Sequence, residues 1–294
     1  MMCLQLRLVI FEARAAFALF LGALILMWIG LLQGAEAKST SQSAGLFVGI
    51  GKFEFRSGLE DLEYAPDDAV GLAHRMVVEL KIIPAGKAQL VLVGEPKSAR
   101  RRKQLSELQA LRVEVVKGTK NGLLKALEKF AGQATDGGLA VMSFSGHGYE
   151  TQNDVYLMPA NGNWQTVRTT GISFETVLEA LSESRAKTKV LLFDACRQVP
   201  DMARLDQELA EKAFRGRVKA LPGLTVLASC SAGEKSWQAK SLEQGVFTHL
   251  ILERLKKSDE SWNALGEHVV KANEAWFAKF EVKGPQAWVM RNDE

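Results

Sequence analysis

The sequence has little of what marks specialised chains. Its 3 cysteines, Cys3, Cys196 and Cys230, are too few and too widely spaced for a disulfide scaffold or a structural zinc site, which needs paired ligands at short spacing. Any functional cysteine must work nearly alone. With 7 prolines, 24% charged and 47% hydrophobic residues, a disordered, collagen-like or coiled-coil chain is excluded. Charge of one sign is also scarce: 37 Lys+Arg against 34 Asp+Glu leave a net +3, which singles out neither nucleic acid nor an anionic membrane surface as partner. No internal repeat, low-complexity linker or acidic loop with calcium-binding spacing interrupts the chain. The 294 residues leave room for one large domain or two small ones.

One long apolar run is present. Ala15–Leu32 carries no charge, follows Arg7 and Arg14, and precedes Gln33-Gly34-Ala35-Glu36-Ala37, which has the Ala-x-Ala spacing favoured by signal peptidase. The run has no polar face, which argues against a buried core helix. It reads as an export signal cleaved near Ala37. The alternative is an uncleaved single-pass anchor, because the run is just long enough to span a bilayer. Both readings put the rest of the chain outside the cytoplasm, since the arginines hold the preceding end inside. Membrane contact is expected only through this segment. The expected organisation is therefore 1–37 as signal or anchor and 45–294 as one domain.

Beyond Gly45, short runs dense in Val, Leu, Ile and Phe alternate with amphipathic stretches. Such runs suit strands buried on both faces, so the pattern predicts an α/β fold. Strands are expected at 46–50, 89–93, 139–144, 189–193 and 224–228, with a weaker one at 112–116. Helices are expected near 66–81, 121–132, 173–182, 205–214, 246–257 and 261–280, with Pro66 suited to a first helical turn. A single sheet of about six mostly parallel strands, covered by helices on both faces, satisfies this order.

Two strands end in unusual polar residues, and in open α/β sheets ligands and catalytic groups collect beyond the carboxyl ends of the strands. Leu139–Phe144 runs into Ser145-Gly146-His147-Gly148, a histidine between two glycines. Lys189–Phe193 runs into Asp194-Ala195-Cys196-Arg197, a cysteine with an acid and a base nearby. A thiol nucleophile needs a base, and an imidazole can take its proton and later give it to a leaving amine. His147 and Cys196 form a candidate dyad. The other three histidines, His74, His249 and His268, fall on expected helices and have a blander reading as packed or capped side chains.

This ordered pair of strand ends resembles the caspase family in its bacterial, metacaspase-like branch. The resemblance extends to Leu46-Phe47-Val48-Gly49-Ile50-Gly51, to Ala65-Pro66-Asp67-Asp68-Ala69 in place of the more usual Asn-Asp-Ala helix start, and to Tyr156-Leu157-Met158-Pro159. It also includes Ser229-Cys230-Ser231-Ala232-Gly233 and Gly245-Val246-Phe247-Thr248. It implies a three-layer sandwich with a mostly parallel central sheet and an endopeptidase acting on protein or peptide substrates through an acyl-enzyme. Cys196 would be the nucleophile and His147 the general acid and base, with no third member of a triad. The N–H groups of Gly148 and Cys196 would hold the oxyanion. Asp68, Ser145 and Asp194 would line the pocket for the residue before the scissile bond. Two buried carboxylates there favour Arg or Lys. Asp67 competes with Asp68 for this role, and a carboxylate at a helix start also has the plain task of complementing the helix dipole. No cofactor or metal is required, although some metacaspases depend on calcium.

Further expectations follow. The basic residues Arg100-Arg101-Arg102-Lys103 and Arg204, Lys212, Arg215, Arg217 and Lys219 are candidate self-processing sites or, more plainly, solvated charges. If the family topology brings their strands together, Cys196 and Cys230 would be able to pair and silence the enzyme, against a plainer reading of Cys230 as a small buried residue. A serine hydrolase using Ser145, Asp194 and His249 or His268 is an alternative. It fits poorly, because Gly-x-Ser-x-Gly needs glycines where Ser143 and His147 stand. A nucleotide site at Gly49-Ile50-Gly51 fails because Glu54 occupies the third glycine position. A non-catalytic signalling or interaction module is the remaining alternative.

Overall fold

The computed structural model describes residues 41–54, 57–151, 154–197, 206–256 and 260–292. The expected leader or anchor at 1–37, and with it Ala15–Leu32, lies outside these residues. Among the described residues no helix is long and apolar enough to cross a membrane.

The strands are β1 (Ala44–Ile50), β2 (Ala88–Val93), β3 (Glu114–Lys117), β4 (Leu139–Gly146), β5 (Gly148–Glu150), β6 (Val155–Leu157), β7 (Ile172–Ser173), β8 (Thr188–Ala195), β9 (Leu224–Ala228), β10 (Gln238–Ala239), β11 (Gln244–Gly245) and β12 (Trp288–Arg291). The helices are α1 (Ala65–His74), α2 (Ala99–Ala110), α3 (Lys120–Gln133), α4 (Val167–Thr170), α5 (Phe174–Glu183), α6 (Gln207–Lys219), α7 (Val246–Arg254) and α8 (Trp262–Ala278). A π-helical turn, Arg75–Glu79, continues α1.

Seven strands form the main sheet in the order β12-β9-β8-β4-β1-β2-β3. All pairings are parallel except that of β12 with β9. Every residue of β1 is buried, as a central strand of a doubly covered parallel sheet requires. Alternation along the strands divides the core. Leu46, Val48, Met142, Phe144, Leu191 and Phe193 face a cluster with α3, α5 and α6. Phe47, Val141, Val190 and Leu192 face a second cluster with α1, α7 and α8. This is the three-layer sandwich that the resemblance implies, with seven strands rather than about six.

The departures from expectation have physical causes. β12 is short and comes from the far end of the chain, so only its antiparallel pairing with β9 identifies it. α2 fills the stretch holding the basic run. Its buried residues are Arg101, Gln104 and Leu108, and a stripe that is two-thirds polar gives no hydrophobic periodicity. The strand expected at 112–116 is Glu114–Lys117, because Arg112 takes a left-handed turn at φ 64°. The helix expected at 205–214 is Gln207–Lys219, capped by the Asp206 side chain accepting from Leu209 N at 2.9 Å.

Helical structure also weakens the self-processing sites, since a scissile segment must be extended. Arg101 is buried in α2, and Arg215 and Arg217 lie on α6 bonded to Glu211 and Asp154. Lys212 and Lys219 lie on α6 too, and Arg204 falls outside the described residues.

Candidate active site

The chain lays β1, β2 and β3 outward on one side of β1 and then returns to place β4 on the other. The topological switch point is thus between β1 and β4, where open α/β sheets form a crevice at the strand carboxyl ends. β4 and β8 are neighbours in parallel register, with Ser145 opposite Asp194 and Gly146 opposite Ala195. His147 and Cys196 are each the next residue, so the register sets them side by side beyond the strand ends. Gly148 seals this arrangement: a Cβ built on it would lie 2.3 Å from the Cys196 carbonyl oxygen, so only glycine allows the two segments to lie so close.

The imidazole is oriented by the main chain. His147 Nε2 lies 2.7 Å from the carbonyl oxygen of Glu60. A carbonyl can only accept, so Nε2 carries the proton and the neutral ring keeps its lone pair on Nδ1. The Phe53 ring packs beside it, with centroids 5.0 Å apart. Burial lowers the His147 pKa below its ordinary value. The Cys196 thiol donates to the carbonyl of Ser236 at 3.9 Å, and burial raises its pKa. Both shifts favour a neutral thiol and a neutral imidazole at rest.

The three expected pocket residues meet. Asp68 Oδ2 accepts from the Ser145 hydroxyl at 2.7 Å, and Asp68 Oδ1 accepts from Gly245 N at 2.9 Å. Asp194 Oδ2 accepts from the Thr248 hydroxyl at 2.7 Å and from Thr248 N at 3.1 Å, and Asp194 Oδ1 accepts from the Ser236 hydroxyl. The carboxylates converge on one point: a Cβ on Gly245 would stand 2.7 Å from Asp194 Oδ2 and 2.8 Å from Asp68 Oδ2. Burial, then the nearby Asp194 carboxyl, holds Asp68 well above the usual carboxylate range, and burial raises Asp194 as well. Asp67 points elsewhere. Its two oxygens accept from Lys97 N and Ser98 N, each at 2.9 Å, at the start of α2. Of the two aspartates, it is Asp68 that lies with Ser145 and Asp194.

These contacts do not supply the Ser–His–Asp relay that the serine alternative needs. The Ser145 hydroxyl is committed to Asp68, and among the described residues no histidine bonds to Ser145 or Asp194. Cys230 and Cys196 are both free thiols. Cys230 is buried, with its Sγ donating to the Ala195 carbonyl at 3.1 Å. Among the described residues no group of three or more His, Cys, Asp or Glu is placed to hold a metal ion.

Two contributors escaped the sequence reading. Glu60 acts through its carbonyl, which leaves no residue-type signature. Arg197 is fully buried behind Cys196, where its guanidinium binds Glu150 at 2.5 Å, also binds Glu211, and lies 4.3 Å from the centre of the Phe214 ring. A basic residue beside a strand-end cysteine suggested only a local charge.

A comparison with curated proteins finds no match. The family model of the caspase domain, by contrast, matches residues 43–283, a span that holds His147, Cys196, Asp68, Asp194 and all the main-sheet strands but β12. That match supports a cysteine-type peptidase or a caspase-like module with protein or peptide substrates. The chain belongs to the caspase-domain family.

Proposed function

We propose that the protein is a cysteine endopeptidase that hydrolyses peptide bonds after Arg or Lys, with Cys196 as nucleophile and His147 as general acid and base. The observation that supports this reading is the β4–β8 register, whose paired ends run on directly into His147 and Cys196, with buried Asp194 on the same strand end. His147 Nδ1 takes the thiol proton as Sγ attacks the scissile carbonyl carbon, and the oxyanion is held by the N–H groups of Gly148 and Cys196. The C–N bond then breaks as Nδ1–H protonates the leaving amine, leaving a thioester on Cys196. Water, deprotonated by the same nitrogen, releases the acid product. The Glu60 carbonyl keeps Nε2 protonated throughout, so one nitrogen performs every transfer.

Selectivity follows from the carboxyl pair. A guanidinium or ammonium relieves the repulsion and desolvation that raise both pKa values, whereas an Asp side chain would add a third carboxyl. Asp194 is 7% exposed and Asp68 is 0% exposed, so an entering cation meets Asp194 first. The test is hydrolysis of fluorogenic peptides ending in Arg, Lys or Asp, in reducing buffer with and without calcium. Cleavage after Arg and Lys that disappears in Cys196→Ala supports the reading. Cleavage after Asp, or unchanged cleavage in Cys196→Ala, contradicts it. If nothing is cleaved, the non-catalytic module takes its place.

We also place this domain outside the cytoplasm, on the strength of the Ala15–Leu32 run and the arginines before it. Sequencing the amino terminus of the protein recovered from cell fractions separates a cleaved signal from an anchor. A domain recovered intact from the cytoplasm would refute both.

A further inference from the structure

The strand order gives the active site a direction. Passing from Cys196, just past β8, to His147, just past β4, the next carboxyl ends are those of β1 and β2. In cysteine peptidase chemistry the imidazole protonates the leaving amine. The chain beyond the scissile bond must therefore leave on the histidine side.

On that side lies a cavity of about 240 Å3 between the segments that follow β1 and β2. Its walls continue the segments that touch the imidazole. Glu60 accepts from His147, and Asp61, Leu62 and Glu63 run on from it into the wall; Phe53 packs on the ring, and Lys52 before it is another wall residue. Phe53 N also donates to Asp61 Oδ1 at 3.2 Å, tying the two segments together. Glu95 and Lys97 face them from beyond β2. The volume is below the roughly 300 to 1,000 Å3 of sites for drug-sized ligands, and suits a side chain rather than a cofactor.

The charges in the wall do not balance. Lys52 pairs with Asp61 at 3.6 Å and Lys97 with Glu63 at 3.9 Å. Glu95 is exposed, and it has no hydrogen bond or ion pair among the described residues. Three carboxylates thus face two ammonium groups, and Leu62 offers an apolar surface for the methylenes of a long side chain.

We propose that this cavity is a specificity subsite for the first residues after the scissile bond, and that Glu95 makes it favour a basic side chain there. The proposal rests on the peptidase reading above and extends its substrate class to peptides with basic residues on both sides of the cut. The test uses the full protein and internally quenched peptides with Arg before the bond and Lys, Ala or Glu at the first or second position after it. An Arg-aminocoumarin substrate, which has no residue beyond the bond, reports peptidase activity separately. The expected kcat/KM for the Lys peptide exceeds that for the Glu peptide about 5-fold at low salt, the scale of exposed charge pairs. The ratio falls to 1 or below in Glu95→Lys and shrinks at high salt in the wild type. Equal cleavage of the Lys and Glu peptides, or a preference that survives Glu95→Lys, overturns the subsite while aminocoumarin hydrolysis upholds the peptidase. Loss of aminocoumarin hydrolysis in the wild type overturns both.

Discussion

Replacing Arg197 by methionine removes a guanidinium that is fully buried and holds two carboxylates, Glu150 and Glu211. Glu211 keeps a second cation, because Arg215 Nε donates to it at 2.6 Å. Glu150, 1% exposed on β5, has Arg197 as its ion-pair partner among the described residues, and burial already raises its pKa while Arg197 opposes that rise. Breaking a buried pair from one side costs about 3 to 5 kcal/mol, and losing the contact with the Phe214 face adds about 0.5 to 2 kcal/mol. Adding Glu150→Gln removes the stranded charge and should restore about half of the loss. Activity should fall further than stability explains. The Arg197 main chain bonds Glu234 O and Gly233 N, each at 2.9 Å, while Glu150 sits three residues beyond His147, so the guanidinium braces both dyad segments. The assay is urea unfolding of wild type, Arg197→Met, Glu150→Gln and the double variant as a thermodynamic cycle, with kcat/KM on the same proteins. A loss below about 1 kcal/mol in Arg197→Met, or additive single effects, would refute the argument that this network is a buried, coupled brace.

Three further outcomes are expected. Gly148→Ala forces a Cβ toward the Cys196 carbonyl oxygen, and displacing the dyad segments should lower kcat about 100-fold while circular dichroism reports an intact fold. Asp68→Asn should stabilise the domain at pH 8 by about 1 to 3 kcal/mol and weaken cleavage after Arg. Because the folded-state pKa of Asp68 lies well above its unfolded value, the wild type has this group's full stability only at acid pH and loses it as pH rises. Melting curves should therefore converge as pH falls, and a gap that is constant with pH would contradict the assignment. The acid limb of kcat/KM should lie below the ordinary histidine pKa of about 6.5, since burial lowers His147 and the ring must be neutral to accept a proton; a limb above pH 7 would count against it.

Where side-chain chemistry declared the structure, the sequence was readable. The inner strands announce themselves as apolar runs, and His147 and Cys196 stand out as candidates because each closes such a run. The residues Asp68, Ser145 and Asp194 were legible as candidates, but finding that Asp68 rather than Asp67 joins the other two required knowing that α2 begins beside the aspartates, with Lys97 N and Ser98 N donating to Asp67. α2 itself was hidden because Arg101 and Gln104 do the work of core residues, joined by a 2.6 Å hydrogen bond from Arg101 Nη1 to Gln104 Oε1. Glu60 was invisible because a carbonyl belongs to every residue. β12 and the Arg197 network depend on contacts between segments distant in the chain, which local pattern does not encode.

The central claim, a Cys196 nucleophile served by an acidic pocket, is tested most directly by covalent capture. The protein is incubated with an arginyl acyloxymethyl ketone or its aspartyl analogue, and the modified residue is located by peptide mass spectrometry. The account predicts one adduct, on Cys196, formed by the arginyl reagent and not by the aspartyl one, and slowed when Asp194 is changed to Asn. An adduct on Ser145 or Cys230, or capture by the aspartyl reagent alone, would contradict it.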